Sequence, residues 1–215
     1  MIAAVIFDCD GVLVDSEGPT LAMLKQDLAL HGLPVDDAMM ERLFLGTTMP
    51  LIFRSARQLG ADLPDGWVGD FYERLYALLR GHTPLISGIP ALLDRLDAAG
   101  LPYAVGSNGT TEKMGITLGQ HPDVYRRLKR RLFSGQELNM PKPDPGLYRH
   151  IAQFLGVDPA HCAVIEDSVP GARAARLAGM TCFGYAPHGP HPALEAEGAR
   201  LFTHMGELPA LLGLQ

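Results

Sequence analysis

The chain opens on an uncharged apolar run, Ile2-Ala3-Ala4-Val5-Ile6-Phe7, which stops at Asp8-Cys9-Asp10-Gly11. A short apolar run bounded by polar and glycine signals predicts a strand buried on both faces. Similar runs recur at 102–106, 132–135, 162–165 and 181–185, with a last one near 199–202. Between them the apolar spacing lengthens to the helical period. Leu92, Leu93 and Leu96 follow Pro90 and close at Gly100; Leu147, Ile151 and Leu155 follow Pro145; Ala172, Ala174, Ala175, Leu177 and Ala178 close at Gly179. Proline near a helix start and glycine just past its end are the expected punctuation. A last helix is expected near 206–212. Strands alternating with helices predict an α/β fold, a Rossmann-like, mostly parallel sheet flanked by helices.

From about residue 18 to 85 the pattern changes, and no alternating strand is found. Leu21, Leu24 and Leu28 predict one helix, ended by Gly32 and Pro34. Met39, Met40, Leu43 and Phe44 predict a second, stopped at Gly46, and Leu51, Ile52, Ala56 and Leu59 a third, stopped at Gly60. Trp67, Phe71, Leu75, Leu78 and Leu79 predict a fourth. The reading is an inserted all-helical cap over 16–85, with hinges near 14–17 and 82–88. Residues 1–15 and 86–215 form the catalytic core, and the cap stripes are the cap's own core.

Composition narrows the function more than the fold. The 215 residues are 47% apolar and 20% charged, with a formal net charge of −6. That balance argues against a general nucleic-acid or membrane-surface binder. The basic run Arg126-Arg127-Leu128-Lys129-Arg130-Arg131 reads as a solvated helix end, since no aromatic residues interleave it. Cys9, Cys162 and Cys182 sit in or beside apolar runs and read as reduced core residues of a cytoplasmic protein. Between two acids, Cys9 would keep its proton and make a poor nucleophile. The first apolar run lacks a basic leader, and no stretch is long enough to span a bilayer. His188 and His191 lie in a Gly/Pro-rich stretch and read as loop residues.

The candidate chemistry lies where the strands stop. In an open parallel sheet, ligands bind outside the carboxyl ends of the strands. Asp8 and Asp10 stand there two residues apart, and such close acids need either a shared proton or a cation between them. Oxygen ligands favour Mg²⁺. Ser107-Asn108-Gly109-Thr110-Thr111 follows the second strand and opens a helix, where backbone N–H groups and the Ser107 hydroxyl would hold a phosphate. Lys142, restrained between Pro141 and Pro143, offers an ammonium that can screen carboxylates and bind phosphoryl oxygen. Glu166-Asp167-Ser168 repeats the pattern of acids after a buried strand.

Four stretches together carry a resemblance. Asp8-Cys9-Asp10-Gly11-Val12, Ser107-Asn108, Lys142-Pro143-Asp144-Pro145 and Glu166-Asp167-Ser168 with Gly171 resemble, in order, the motifs of the haloacid-dehalogenase-like superfamily. The resemblance implies a Mg²⁺-dependent phosphatase acting on a small phosphorylated metabolite. It makes Asp8 the nucleophile that becomes an aspartyl-phosphate, and Asp10 the acid and then base. It gives the metal to Asp8, the Asp10 carbonyl and Asp167, with Glu166 acting through water, and the phosphate to Ser107, Asn108 and Lys142. Glu17, Gly46, Thr47 and Arg54 are the candidate substrate contacts.

The helical-cap branch resembled here includes phosphoglycolate phosphatase and β-phosphoglucomutase. The mutase carries a histidine where this chain has Thr20 and an arginine where it has Met49. Hydrolysis is therefore the expected reaction. A phosphosugar mutase and a catalytically silent interaction module on the same scaffold are the alternatives.

Overall fold

The computed structural model describes residues 1–43 and 46–214, with 41 and 42 as backbone only. Six strands form one parallel sheet in the order β3-β2-β1-β4-β5-β6. They are β1 (Ala4–Phe7), β2 (Tyr103–Ser107), β3 (Leu132–Ser134), β4 (Cys162–Glu166), β5 (Thr181–Tyr185) and β6 (Arg200–Phe202). This is the doubly wound arrangement the alternating pattern implies, with its order reversing beside β1.

The central strands read as continuous apolar runs because both faces are covered. Val5 and Phe7 of β1 face one cluster with Leu92, Leu93, Leu96, Met114 and Leu208. Ala4 and Ile6 face the opposite cluster with Leu147, Ile151, Ala172 and Ala175. Each large aliphatic or aromatic side chain buried this way contributes about 1.5–3 kcal/mol. The helices supplying the first face are α5 (Ile89–Ala98), α6 (Thr111–Leu118), α7 (Pro122–Leu128) and α11 (Leu208–Leu211). Those supplying the second are α8 (Gly146–Leu155), α9 (Val169–Ala178) and α10 (Pro192–Ala196).

Between β1 and α5 run α1 (Glu17–Leu30), α2 (Asp37–Leu43), α3 (Met49–Gln58) and α4 (Trp67–Gly81). They share a third apolar cluster built from Leu24, Leu28, Ile52, Ala56, Trp67, Phe71 and Leu75. Phe44, assigned to the second predicted helix, lies outside the described residues. The chain leaves and re-enters the sheet side by side: Val14 bridges Leu85, and Asp15 N–H donates to the Pro84 carbonyl at 2.9 Å.

Two expectations are adjusted at the ends of elements. The helix after β2 begins at Thr111, capped by the Thr110 hydroxyl, which accepts from Lys113 N–H. The last helix is split into a single tight turn, Met205–Glu207, and the short α11, because Pro209 in the first turn of α11 has no N–H to carry helical bonding across. The basic run ends α7 on the surface: Arg126 pairs with Asp123 at 2.9 Å and Arg127 with Asp94 at 2.6 Å. All three cysteines are buried and unpaired with one another. No helix among the described residues is long and apolar enough to cross a membrane.

Candidate active site

The polar stretches converge because each follows the carboxyl end of a neighbouring strand. Asp8 follows β1, Ser107 ends β2, Lys142 lies beyond β3, and Glu166 ends β4 with Asp167 next. One cleft is lined by Asp8, Asp10, Ser107, Asn108, Lys142 and Asp167 from the sheet side, and by Glu17, Gly46 and Thr47 from the helical side. Glu166 sits beneath this lining, wholly buried. Arg54, expected as a substrate contact, is exposed and outside the cleft. Helix α3 turns Ile52 and Ala56 inward at helical spacing, so position 54 falls on the opposite face.

Two lysines organise the acids. The Lys142 ammonium, 3% exposed, donates to Asp8 Oδ1 and to Glu166 Oε1, each at 2.5 Å. The remaining capacity of Glu166 is filled by the Tyr148 hydroxyl at 2.7 Å, the Ser168 hydroxyl at 2.8 Å and the N–H groups of Ser168 and Asp167 at 3.0 and 3.1 Å. Glu166 is thus locked, an anchor for Lys142. Burial alone would raise its carboxyl, but Lys142 and these donors hold it below the usual range. Lys113 forms the second pair, 2.8 Å from Asp10 Oδ1. Asp10 also accepts from the Ser16 hydroxyl and, at 3.4 Å, from that of Ser107. Burial opposes its ionisation, yet the Lys113 ammonium and the donors of Lys113 and Ser16 win, leaving Asp10 below the usual carboxylate range.

The other acids have too little positive charge. Burial pushes Asp8 up to about 7, against Lys142, with Glu166 and Asp10 adding to the rise. Burial, then Asp10 and Asp8, push Glu17 up to about 8. Asp167 is driven well above its ordinary value by burial and by Glu17, Asp8 and Glu166. Carboxylate oxygens of Asp8, Glu166 and Asp167 lie within 4.8 Å of one another. An all-oxygen set short of positive charge fits a hard divalent cation. The Asp10 carboxylate stands apart from that set, turned toward Ser16 and Lys113. Burial and the two neighbouring acids keep the Cys9 thiol well above its usual range, so it stays protonated.

Two glycines make the approach possible. A Cβ on Gly11, at φ 79°, would lie 1.8 Å from Asp167 Oδ2, and one on Gly171 would lie 1.8–2.3 Å from the Glu166 carboxyl. Asn108, expected at the phosphate, spends its side chain on the main chain. Its Oδ1 accepts from Lys142 N–H at 2.8 Å, and its Nδ2 donates to the carbonyls of Gly46 at 2.9 Å and Lys142 at 3.1 Å. Ser107 accepts from Gly109 N–H at 2.9 Å. The sequence reading missed Lys113, Tyr148 and Ser16. Spacing within α6 puts Lys113 one turn past the cap, but nothing in sequence separates it from a surface lysine.

The profile of the haloacid dehalogenase-like hydrolases matches residues 2–179. The chain belongs to that family. A 6-phosphogluconate phosphatase of Escherichia coli K12 is 31% identical over 212 residues, covering 98% of this chain and 94% of that protein. A haloacid dehalogenase family hydrolase of Deinococcus radiodurans R1, solved with bound phosphate and sodium, is 34% identical with a TM-score of 0.75, covering 99% of this chain and 95% of that one. A haloacid dehalogenase-like protein of Agrobacterium tumefaciens C58 superposes with a TM-score of 0.83 at 28% identity, covering 99% of this chain and 98% of that one.

Proposed function

We propose that this family member is a Mg²⁺-dependent phosphatase that hydrolyses a small phosphorylated metabolite through an aspartyl-phosphate on Asp8. The observation that carries the reading is the unequal treatment of two acids two residues apart. Asp8 shares its lysine with Glu166 and lies in the acid cluster, whereas Asp10 has a separate lysine and lies outside it. Asp8, within the acid cluster, is placed to attack phosphorus, and Asp10, on its own lysine beside it, is placed to move a proton.

In the reaction, a carboxylate oxygen of Asp8 attacks phosphorus in line and the bond to the alcohol oxygen breaks. Asp10, ionised in the free enzyme, relays to the departing oxygen the proton of the phosphate monoanion that enters beside it; it then takes a proton from the water that attacks the phospho-enzyme and returns it to the leaving phosphate. Phosphate leaves and Asp8 is restored. Lys142 and Ser107 hold the phosphoryl oxygens, and Asn108 holds the Lys142 segment in place. Asp8, Asp167 and the Asp10 main-chain carbonyl would hold the divalent cation, which when bound screens the carboxylates from the phosphoryl group. Glu166 fits the outer position, since its oxygens are already occupied. Residues 16–85 act as a cap that shuts water out and reads the alcohol portion, with Glu17, Gly46 and Thr47 at the contact.

The relative described above, named as a 6-phosphogluconate phosphatase, supports the phosphomonoester class. A phosphosugar mutase is the weaker reading, because Thr20 and Met49 stand in the cleft wall where the resembled mutase has a histidine and an arginine. The test is Asp8→Asn, assayed for Mg²⁺-dependent release of phosphate from p-nitrophenyl phosphate. Turnover should vanish while the circular dichroism spectrum is kept. Substantial metal-dependent turnover in a folded Asp8→Asn protein removes the aspartyl-phosphate from the mechanism.

A further inference from the structure

Every described cation in the cleft already faces a carboxylate. Lys142 is shared by Asp8 and Glu166, and Lys113 is engaged by Asp10. Among the described residues, the helical wall facing the sheet contributes no lysine or arginine to the lining. Leu24, Ile52 and Leu75 make it apolar, and Glu17 adds a carboxyl group.

Its polar groups are mostly acceptors. The Tyr72 hydroxyl gives its proton to Gln136 Oε1 at 2.9 Å, and the Thr20 hydroxyl gives its proton to the Ser16 carbonyl at 2.6 Å. What each leaves toward the cleft is a lone pair. Glu17 offers carboxylate oxygens. The hydroxyls of Thr47 and Thr48 can turn either way. Such a wall receives hydroxyl donors over an apolar floor. Among the described residues it has no cation to neutralise an anion, so a carboxylate brought against it would lose its hydration without gaining a partner.

We infer that the alcohol released here is uncharged and hydroxyl-bearing, as in a sugar or polyol monophosphate, and that esters carrying a second anionic group are poor substrates; the inference rests on the phosphatase reading above. It sets this chain apart from its relative named for 6-phosphogluconate, whose far end is a carboxylate. Specificity here is a matter of rejection: an apolar wall that, among the described residues, offers a carboxylate no cation.

The test is a matched pair that differs at one carbon, glucitol 6-phosphate against 6-phosphogluconate, with Mg²⁺ and phosphate release as the readout. A shorter pair, glycerol 3-phosphate against 3-phosphoglycerate, covers smaller alcohols, and p-nitrophenyl phosphate reports the chemistry itself. The neutral member should show a kcat/KM at least about tenfold higher in the pair that fits. Met49→Lys places an ammonium on the wall and should raise the relative rate of the carboxylate member severalfold, which a merely structural residue would not do. Equal or reversed preference overturns the inference and leaves the phosphatase standing. So does turnover of p-nitrophenyl phosphate with none of the four esters. Silence on all five compounds overturns both.

Discussion

Asp8 and Asp10 are chemically the same residue placed in different fields. Lys113 makes most of that difference for Asp10, and it does so from 103 positions further along the chain, close to the Ser107 it follows. Asp10→Asn removes a proton carrier and should reduce turnover by ~10²–10⁴-fold. Lys113→Met leaves the Asp10 carboxyl buried without its cation. It should lower the unfolding free energy by ~3 kcal/mol and reduce turnover, measured by denaturant titration and phosphate release. Unchanged turnover and stability in Lys113→Met would show that the pair is idle. At this scale the sequence was readable where a residue follows a strand end: Asp8, Asp10 and Ser107 could be named from local pattern, whereas Lys142 and Asp167 needed the family resemblance. Lys113 and Tyr148 could not, because a buried helical lysine and a buried tyrosine look like any others until their partners arrive from another segment. Arg54 shows the converse, a plausible cation on a helix whose rotation, fixed by Ile52 and Ala56, turns it to solvent.

Elements position these side chains through a few close approaches. Helix α9 starts under the Glu166 carboxyl, capped by Ser168, whose hydroxyl accepts from Gly171 N–H while donating to Glu166. Two glycine-to-alanine changes give opposite signs from this geometry. In an ordinary helix interior the change is worth up to ~1 kcal/mol of stability. Gly69→Ala in α4, where an added Cβ meets nothing within 4 Å, should gain that. Gly171→Ala should instead cost ~1–3 kcal/mol through overpacking against Glu166 and loosen Lys142, lowering turnover as well. Thermal melts of the two variants decide it, and a stabilised Gly171→Ala would contradict the contact. The elements themselves were largely legible, since strand and helix periods differ and glycine and proline mark the stops. Ends were less so. Ser107 and Asn108 are good caps in isolation, yet Thr110 caps α6, because Ser107 still belongs to the sheet and Asn108 is drawn to Lys142 and Gly46.

For the whole molecule, the site is a store of like charge that folding assembles from two strand ends and the start of α1. Asp8 stands at about 7 against 3.8 in the unfolded chain, and Glu17 at about 8 against 4.5. A carboxyl raised in this way keeps a proton in the folded state that the unfolded chain has released. Between the two values the folded state binds more protons, so stability falls as pH rises. That loss begins above the unfolded values and, for these two groups, is complete above about 8. A divalent cation binds the deprotonated acids and so returns what their repulsion removes, most where they are fully charged. The increase in Tm caused by Mg²⁺ over chelator should therefore be small near pH ~5 and grow toward pH ~8. Asp10 and Glu166, held below the usual range, act with the opposite sign and lose stability only in acid, but they do so with and without metal and drop out of the difference. Thermal unfolding across pH, in Mg²⁺ and in chelator, measures that difference directly. An increment that stays flat with pH would mean the acids do not discharge onto a shared cation, and Asp8, Glu17 and Asp167 would then have to keep their protons at neutral pH.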